Sequence, residues 1–206
     1  MTLRERKKAA TRQAIREAAL QLFAERGFAE VSVNDIADKA GVSRMTVFNY
    51  FPTKEDIVVA PLEEELEEIP AFLRECAAGE PLVAAARRHF LERLAAHAPE
   101  TGLDDGPEYR RVLDLIRATP SLMARVMMFQ VRVEQALARA LEEITPGDPR
   151  VPYVAGQLHS LFRTLAQHNT ALIYKGMSAE EAYPQAVEAA RIGFGLLERG
   201  LGGYPA

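Results

Sequence analysis

The stretch GVSRMTVFNYFPTKEDIV, residues 41–58, sets a glycine turn, a serine, one short run of helix formers and a proline stop in close succession. Ser43 is suited to cap a helix through its hydroxyl, and Pro52 cannot continue one, so the spacing predicts a helix over Arg44–Tyr50 with Thr53 as the next cap. A helix this short is marginal in water and gains its stability from packing. Val47 and Phe51 lie four residues apart and form an inward side with Ile36 and Leu22, which leaves Arg44, Met45, Phe48 and Asn49 on outward faces. Large polar and aromatic groups on the outside of a helical stub imply that something beyond the core uses them.

Working upstream, Ile15, Ala19, Leu22 and Phe23 recur at helical spacing, and Gly27 follows Arg26 where a left-handed residue closes a helix, giving a first helix over about residues 5–26. Ser32 with Asp35 caps a second helix, whose Val33, Ile36, Ala37 and Ala40 share a face before it closes at Gly41. Downstream, a fourth helix begins at Lys54, and Pro61 inside it predicts a kink or break, because proline removes one backbone bond and crowds the Ile57 carbonyl. The acidic run Glu63, Glu64, Glu65, Glu67 and Glu68 reads as a solvated helix face. Residues 70–76, 81–97, 107–117, 120–144, 151–174 and 179–199 continue the helical pattern, several opening with proline, and Ser178 with Glu181 forms a capping box for the last. Strand patterning is nearly absent, so the expected class is all-α with about nine helices.

In the last two helices Leu158, Leu161, Leu165 and Leu172 mark one stripe, and Ala182, Ala186, Ala189, Gly193 and Leu196 mark another. Small side chains let such a hairpin approach a copy of itself, which predicts a homodimer through these helices; packing within one chain is the alternative use of the same stripes.

Composition sets the bounds. A chain of 206 residues that is 48% hydrophobic and 26% charged is ordinary for a folded protein and long enough for a large domain joined to a smaller one. No apolar run reaches the roughly 18 residues of a membrane span, and the basic start has no apolar stretch behind it, so it reads as mature sequence. Cys76 is the single cysteine, which excludes a disulfide framework and a multi-thiolate metal site and fits a reducing cytoplasm. The net charge of −4 conceals an asymmetry: residues 1–54 hold ten Lys or Arg against six Asp or Glu (+4), and the rest hold fifteen against twenty-three (−8). A basic front and an acidic remainder are compatible with local contact to nucleic acid.

A helix, a glycine-containing turn and a second short helix match the helix-turn-helix unit, whose second helix enters the DNA major groove through its N-terminal residues. Here those are Ser43, Arg44, Met45 and Thr46. Arg44 offers a planar fork for guanine O6 and N7, Met45 a surface for a thymine methyl, and Thr46 and Tyr50 hydroxyls for phosphates. The basic arm with Arg4, Arg6, Lys7 and Lys8 adds candidate phosphate or minor-groove contacts.

The segment TRQAIREAALQLFAERGFAEVSVNDIADKAGVSRMTVFNYFPTKEDIV resembles the N-terminal DNA-binding domain of the tetracycline-repressor (TetR) family over about residues 9–58. That resemblance implies a three-helix DNA-binding domain over residues 1–54 and a larger helical ligand-binding and dimerisation domain over 55–206. It also implies base reading by Arg44, Met45 and Phe48, and phosphate contacts by Ser32, Thr46, Asn49, Tyr50 and Lys54. Where Phe48 stands the family often has tyrosine, so one hydroxyl is missing here. The implied function is that of a dimeric regulator, by family habit a repressor, which binds a palindromic double-stranded operator and is released by a small molecule. The segment from Tyr109 to Val151 is similar to a subgroup taken to recognise acyl-CoA-like ligands, which points to a hydrophobic or acyl-CoA-like effector.

Candidate ligand-binding residues are Phe90, Met123, Met127, Phe129, Arg132, His159 and Phe162, because soft apolar surface beside a few polar groups suits a small molecule. Burial in an ordinary core is the plainer reading of each apolar one. Met128, Gln130, His168 and Asn169 belong to the same neighbourhood. The four histidines show no HExxH spacing, and no phosphate-cradling glycine loop or nucleophile elbow occurs, so no enzyme, metal or cofactor is expected. The alternative is an α-helical interaction protein whose basic head binds a partner other than DNA.

Overall fold

The structure, a computed structural model, describes residues 2–65, 73 and 79–200, with the side chains of 61–65 excepted. The described residues contain nine α-helices, numbered here in chain order: α1 Leu3–Arg26, α2 Val33–Ala40, α3 Arg44–Tyr50, α4 Lys54–Glu65, α5 Leu82–Ala95, α6 Pro107–Ala118, α7 Pro120–Ile144, α8 Val151–Tyr174 and α9 Ala179–Gly200. A 3-10 turn at Pro99–Thr101 lies between α5 and α6, and no strand occurs among the described residues. The all-α class read from periodicity is therefore the observed one. Cys76, the end of the acidic run and the helix expected at 70–76, apart from the buried Leu73, lie outside the described residues.

The chain divides into two compact units, Met1–Glu63 with Arg110–Met128, and Glu64–Tyr109 with Phe129–Ala206. The first unit is larger than a three-helix segment ending at residue 54, since it includes most of α4, most of α6 and the start of α7. Its core joins Ile15, Ala19, Leu22 and Phe23 of α1 to Ile36 and Ala37 of α2, Val47 of α3, Phe51, Ile57 and Val58, and it is completed by Ile116 and Leu122. Phe28 fills the turn after α1, its ring 4.9 Å from that of Phe23.

Local chemistry explains where these helices begin. The Thr2 hydroxyl accepts from Glu5 N–H at 3.2 Å while Thr2 N–H donates to Glu5 Oε2 at 2.6 Å, and Ser32 with Asp35 repeats the reciprocal pattern at α2. Thr53 and Asp56 do the same at α4. Asp56 is 5% exposed, and its other oxygen accepts from the Arg125 guanidinium of α7 within the same unit.

The first helix starts at Leu3, slightly before the expected start at about residue 5, so Arg4, Arg6 and Lys7 stand exposed on its opening turns. One expectation is corrected here. The fourth helix is not broken at Pro61: its backbone is helical from Lys54 to Glu65. An interior proline costs about 3 kcal/mol of helix stability, but Ile57, Val58, Val59 and Ala60 are all buried, and their packing holds the turn before it.

In the second unit α9 packs along α8 and across α5. Leu158, Leu165 and Leu172 are buried, as are Ala182, Ala186 and Ala190. A Cβ on Gly193 would stand 2.6 Å from Leu161 Cδ1, so the Leu161 side chain is seated directly on the α9 backbone at this glycine. Most of the small-residue stripe of α9 is thus used within the chain, because two helices joined by a short turn meet each other first. Gly102, with φ 73°, brings the loop after the 3-10 turn onto the α8 backbone, where an added Cβ would lie 2.1 Å from the Ala166 carbonyl oxygen. Asn169, wholly buried, donates from Nδ2 to the Thr101 carbonyl at 2.8 Å in the same place.

Candidate nucleic-acid interface

The turn between α2 and α3 is shaped by Gly41, which takes φ 66°, ψ 32° and lets Val42 N–H reach back to the Ala37 carbonyl at 3.0 Å. Ser43 then opens α3: its hydroxyl accepts Thr46 N–H at 3.0 Å and bonds the Thr46 hydroxyl at 2.8 Å. At the far end Phe51 is extended and 2% exposed, anchoring the stub. Val47, 1% exposed, is the inward residue of α3.

This arrangement turns Arg44, Met45 and Asn49 outward, with Met45 68% exposed, while Thr46, Phe48 and Tyr50 are partly buried. The Arg44 guanidinium carbon lies 5.3 Å from the centre of the Phe48 ring, one helical turn away on the same face. Other cations of this region meet aromatic rings or oxygen: the Arg12 guanidinium carbon lies 5.4 Å from the Phe51 ring centre. Arg26 pairs with Asp35 at 3.2 Å and Lys39 with Glu25 at 3.5 Å.

Two residues expected on the phosphate side are engaged within the chain. Lys54 Nζ donates to the carbonyls of Phe28 at 2.5 Å and Val31 at 2.9 Å and lies 4.3 Å from the Phe28 ring centre, so it ties the α1–α2 turn to the start of α4. The Ser32 hydroxyl donates to Asp35 Oδ2 at 2.5 Å and accepts Asp35 N–H. These bonds, with Arg26 beside them, hold the Asp35 carboxyl at about 2, below its ordinary 3.8. Only the long-range partners of Lys54 escape sequence reasoning, since Phe28 and Val31 are more than twenty positions away.

The residues proposed for a ligand are not gathered in one place. Phe90, Phe162 and the unforeseen Phe194 form a trio with ring centres 5.8–6.0 Å apart in the second unit. Phe129 is buried there, with the Arg132 guanidinium 5.9 Å from its ring centre. His159 is 8% exposed, its Nε2 2.8 Å from Gln130 Oε1 and its Nδ1 3.3 Å from Glu134 Oε2; burial lowers its pKa and Glu134 opposes that shift. Met123 instead packs against the core of the first unit, and Met127 is 64% exposed.

Comparison with known proteins places this geometry. Residues 15–60 match the family model described as bacterial regulatory proteins, tetR family. The chain is 33% identical over 142 residues to the HTH-type transcriptional regulator TcmR of Streptomyces glaucescens, covering 68% of this chain and 62% of that one. It is 34% identical over 79 residues to the fatty acid metabolism regulator protein of Bacillus subtilis, covering 36% and 41% respectively. The chain thus spans less than two thirds of the length of the curated relatives it matches. The fold is that of NalD from Pseudomonas aeruginosa, the secondary repressor of the MexAB-OprM multidrug efflux pump, with a TM-score of 0.57 at 21% identity over 90% of this chain and 97% of that one. Residues 15–60 thus carry the helix-turn-helix segment of the tetR family of bacterial regulatory proteins, in a chain similar in sequence to TcmR and in fold to NalD.

Proposed function

We propose that this protein is a DNA-binding transcriptional repressor that grips a roughly palindromic operator as a homodimer and loosens when a small apolar molecule binds its second unit. The observation that carries the reading is the outward face of α3. Arg44, Met45 and Asn49 are exposed on a stub whose inward residues Val47 and Phe51 are buried, in the basic part of an otherwise acidic chain. Arg44 and Met45 meet base edges, and Thr46, Asn49 and Tyr50 meet phosphates. Ser32 and Lys54 shape the surface through their internal bonds. A helix about 10 Å across does not enter a minor groove about 6 Å wide, so Arg4, Arg6 and Lys7 act on phosphates from the start of α1.

Three exposed apolar residues of α8 and α9 favour the dimer: Tyr153 at 73%, Ile192 at 50% and Leu196 at 60% exposure. They replace most of the buried alanine stripe as the contact surface. Leu196→Glu should give a monomer by sedimentation and lose operator affinity; an unchanged dimer refutes this surface. For the ligand, the Phe90, Phe162 and Phe194 trio supplies aromatic surface, and His159 with Gln130 and Glu134 supplies polar groups that orient a bound molecule. The Bacillus relative named for fatty acid metabolism makes long-chain acyl-CoA the first compound to try. A coupling of about 1–3 kcal/mol between ligand and operator is expected.

The deciding experiment is a gel-shift titration with a palindromic fragment from beside the protein's own gene. Affinity should fall steeply and log-linearly with salt as phosphates are neutralised. A flat salt dependence, or no retained fragment, refutes the reading.

A further inference from the structure

We infer that Phe48 is a positioning residue for Arg44: its ring face holds the guanidinium in place before DNA arrives and leaves every N–H of the fork available for a guanine. The inference rests on the DNA-binding reading above and names how its specificity is built. Within the first unit Arg26, Lys39, Lys54 and Arg125 are each fixed by oxygen atoms. Arg44, exposed at the first position of α3, makes no ion pair among the described residues and lies instead 5.3 Å from the Phe48 ring centre. A carboxylate partner would occupy the same N–H groups that a guanine needs, and breaking it would oppose binding. An aromatic face attracts the cation through its quadrupole and occupies none of them.

Preorganisation then follows from the local geometry. An arginine side chain loses rotamer freedom when it docks, and an arginine already resting on a ring one turn along the helix has less to lose. Phe48 is partly buried at the edge of a well-packed stub, so the ring is itself restrained. Tyrosine at position 48 would offer the same face with an added hydroxyl, whereas leucine would keep apolar bulk without the π surface.

The test uses the full-length protein and a duplex that the wild-type chain selects from a randomised pool. Phe48→Leu should weaken binding about three- to tenfold, with thermal unfolding unchanged, and Phe48→Tyr should restore wild-type affinity. Replacing the guanine read by Arg44 with 7-deazaguanine removes the N7 acceptor; on that duplex Phe48→Leu should cost little more. In an Arg44→Ala background Phe48→Leu should likewise add nothing. An equal loss from Phe48→Leu with and without Arg44 would mean that the ring touches DNA directly and would overturn the inference while leaving DNA binding intact. If the wild-type protein selects no duplex at all, the DNA reading fails and takes this inference with it.

Discussion

In the first unit, α1 to α4 each open on a hydroxyl that accepts a backbone N–H: Thr2, Ser32, Ser43 and Thr53. In the second, α5 opens at Pro81 and α8 at Arg150 without a side-chain cap, and the helices are held along their lengths by leucine, alanine and aromatic packing. Of the second unit's helices α9 does open on a hydroxyl, Ser178. A stub such as α3 has few side chains to bury, so its ends decide whether it forms, whereas helices such as α5 and α8 bury enough surface to tolerate weak ends. A unit built from ends places polar groups at defined points on its surface, which suits recognition. A unit built from lengths is sensitive to volume.

The strongest attempt to break this contrast is Gly102→Val. The new side chain would have to adopt φ 73° and push against the Ala166 carbonyl, so a loss of about 4 kcal/mol is expected in urea unfolding. A neutral result would show that the second unit yields to volume. In the first unit Arg125→Ala strands the buried Asp56 carboxylate and should cost about 2 kcal/mol, discounted because the arginine is one-third exposed; the Asp56→Asn, Arg125→Met pair should recover much of it. Lys54→Met keeps the stem over Phe28 but abandons two carbonyls, for about 1 kcal/mol of stability. Its salt slope of operator binding should stay unchanged; a slope reduced by about 1 would restore Lys54 as a phosphate contact.

Smaller effects sharpen the contrast. His97, after α5, holds φ 50° without being glycine, so His97→Gly should raise the stability of the second unit by about 0.5 kcal/mol. Asp35 provides the pH test. Its folded pKa is depressed, so its contribution is present above the ordinary value of 3.8 and is lost as pH falls through about 2. Asp35→Asn should flatten that part of the acid unfolding curve, measured by circular dichroism; an identical curve would mean that the cap does not stabilise α2.

The same division governs what could be read in advance. Ser32, Ser43, Thr53 and Ser178 announce helix starts because each acts on a residue three positions later. The inward pair Val47 and Phe51 follows from helical spacing. The engagement of Lys54 with Phe28 and Val31, the Asp56–Arg125 pair and the meeting of Phe90, Phe162 and Phe194 join residues far apart in the chain. A stripe such as Ala182, Ala186 and Gly193 is legible as apolar, but periodicity carries no label for the partner that covers it.

By itself, then, the order of amino acids determined that the chain is helical, where most of its helices begin, and that a basic stub with an outward polar face stands near the front. Only the tertiary structure decided that α9 turns its small residues toward α8, that Lys54 is a tie within the turn, and that Asp56 pairs with Arg125. Helix caps and periodicity act within one or two turns and so are written locally. The choice of partner among several apolar or charged candidates is made by packing, where one arrangement satisfies the most groups at once.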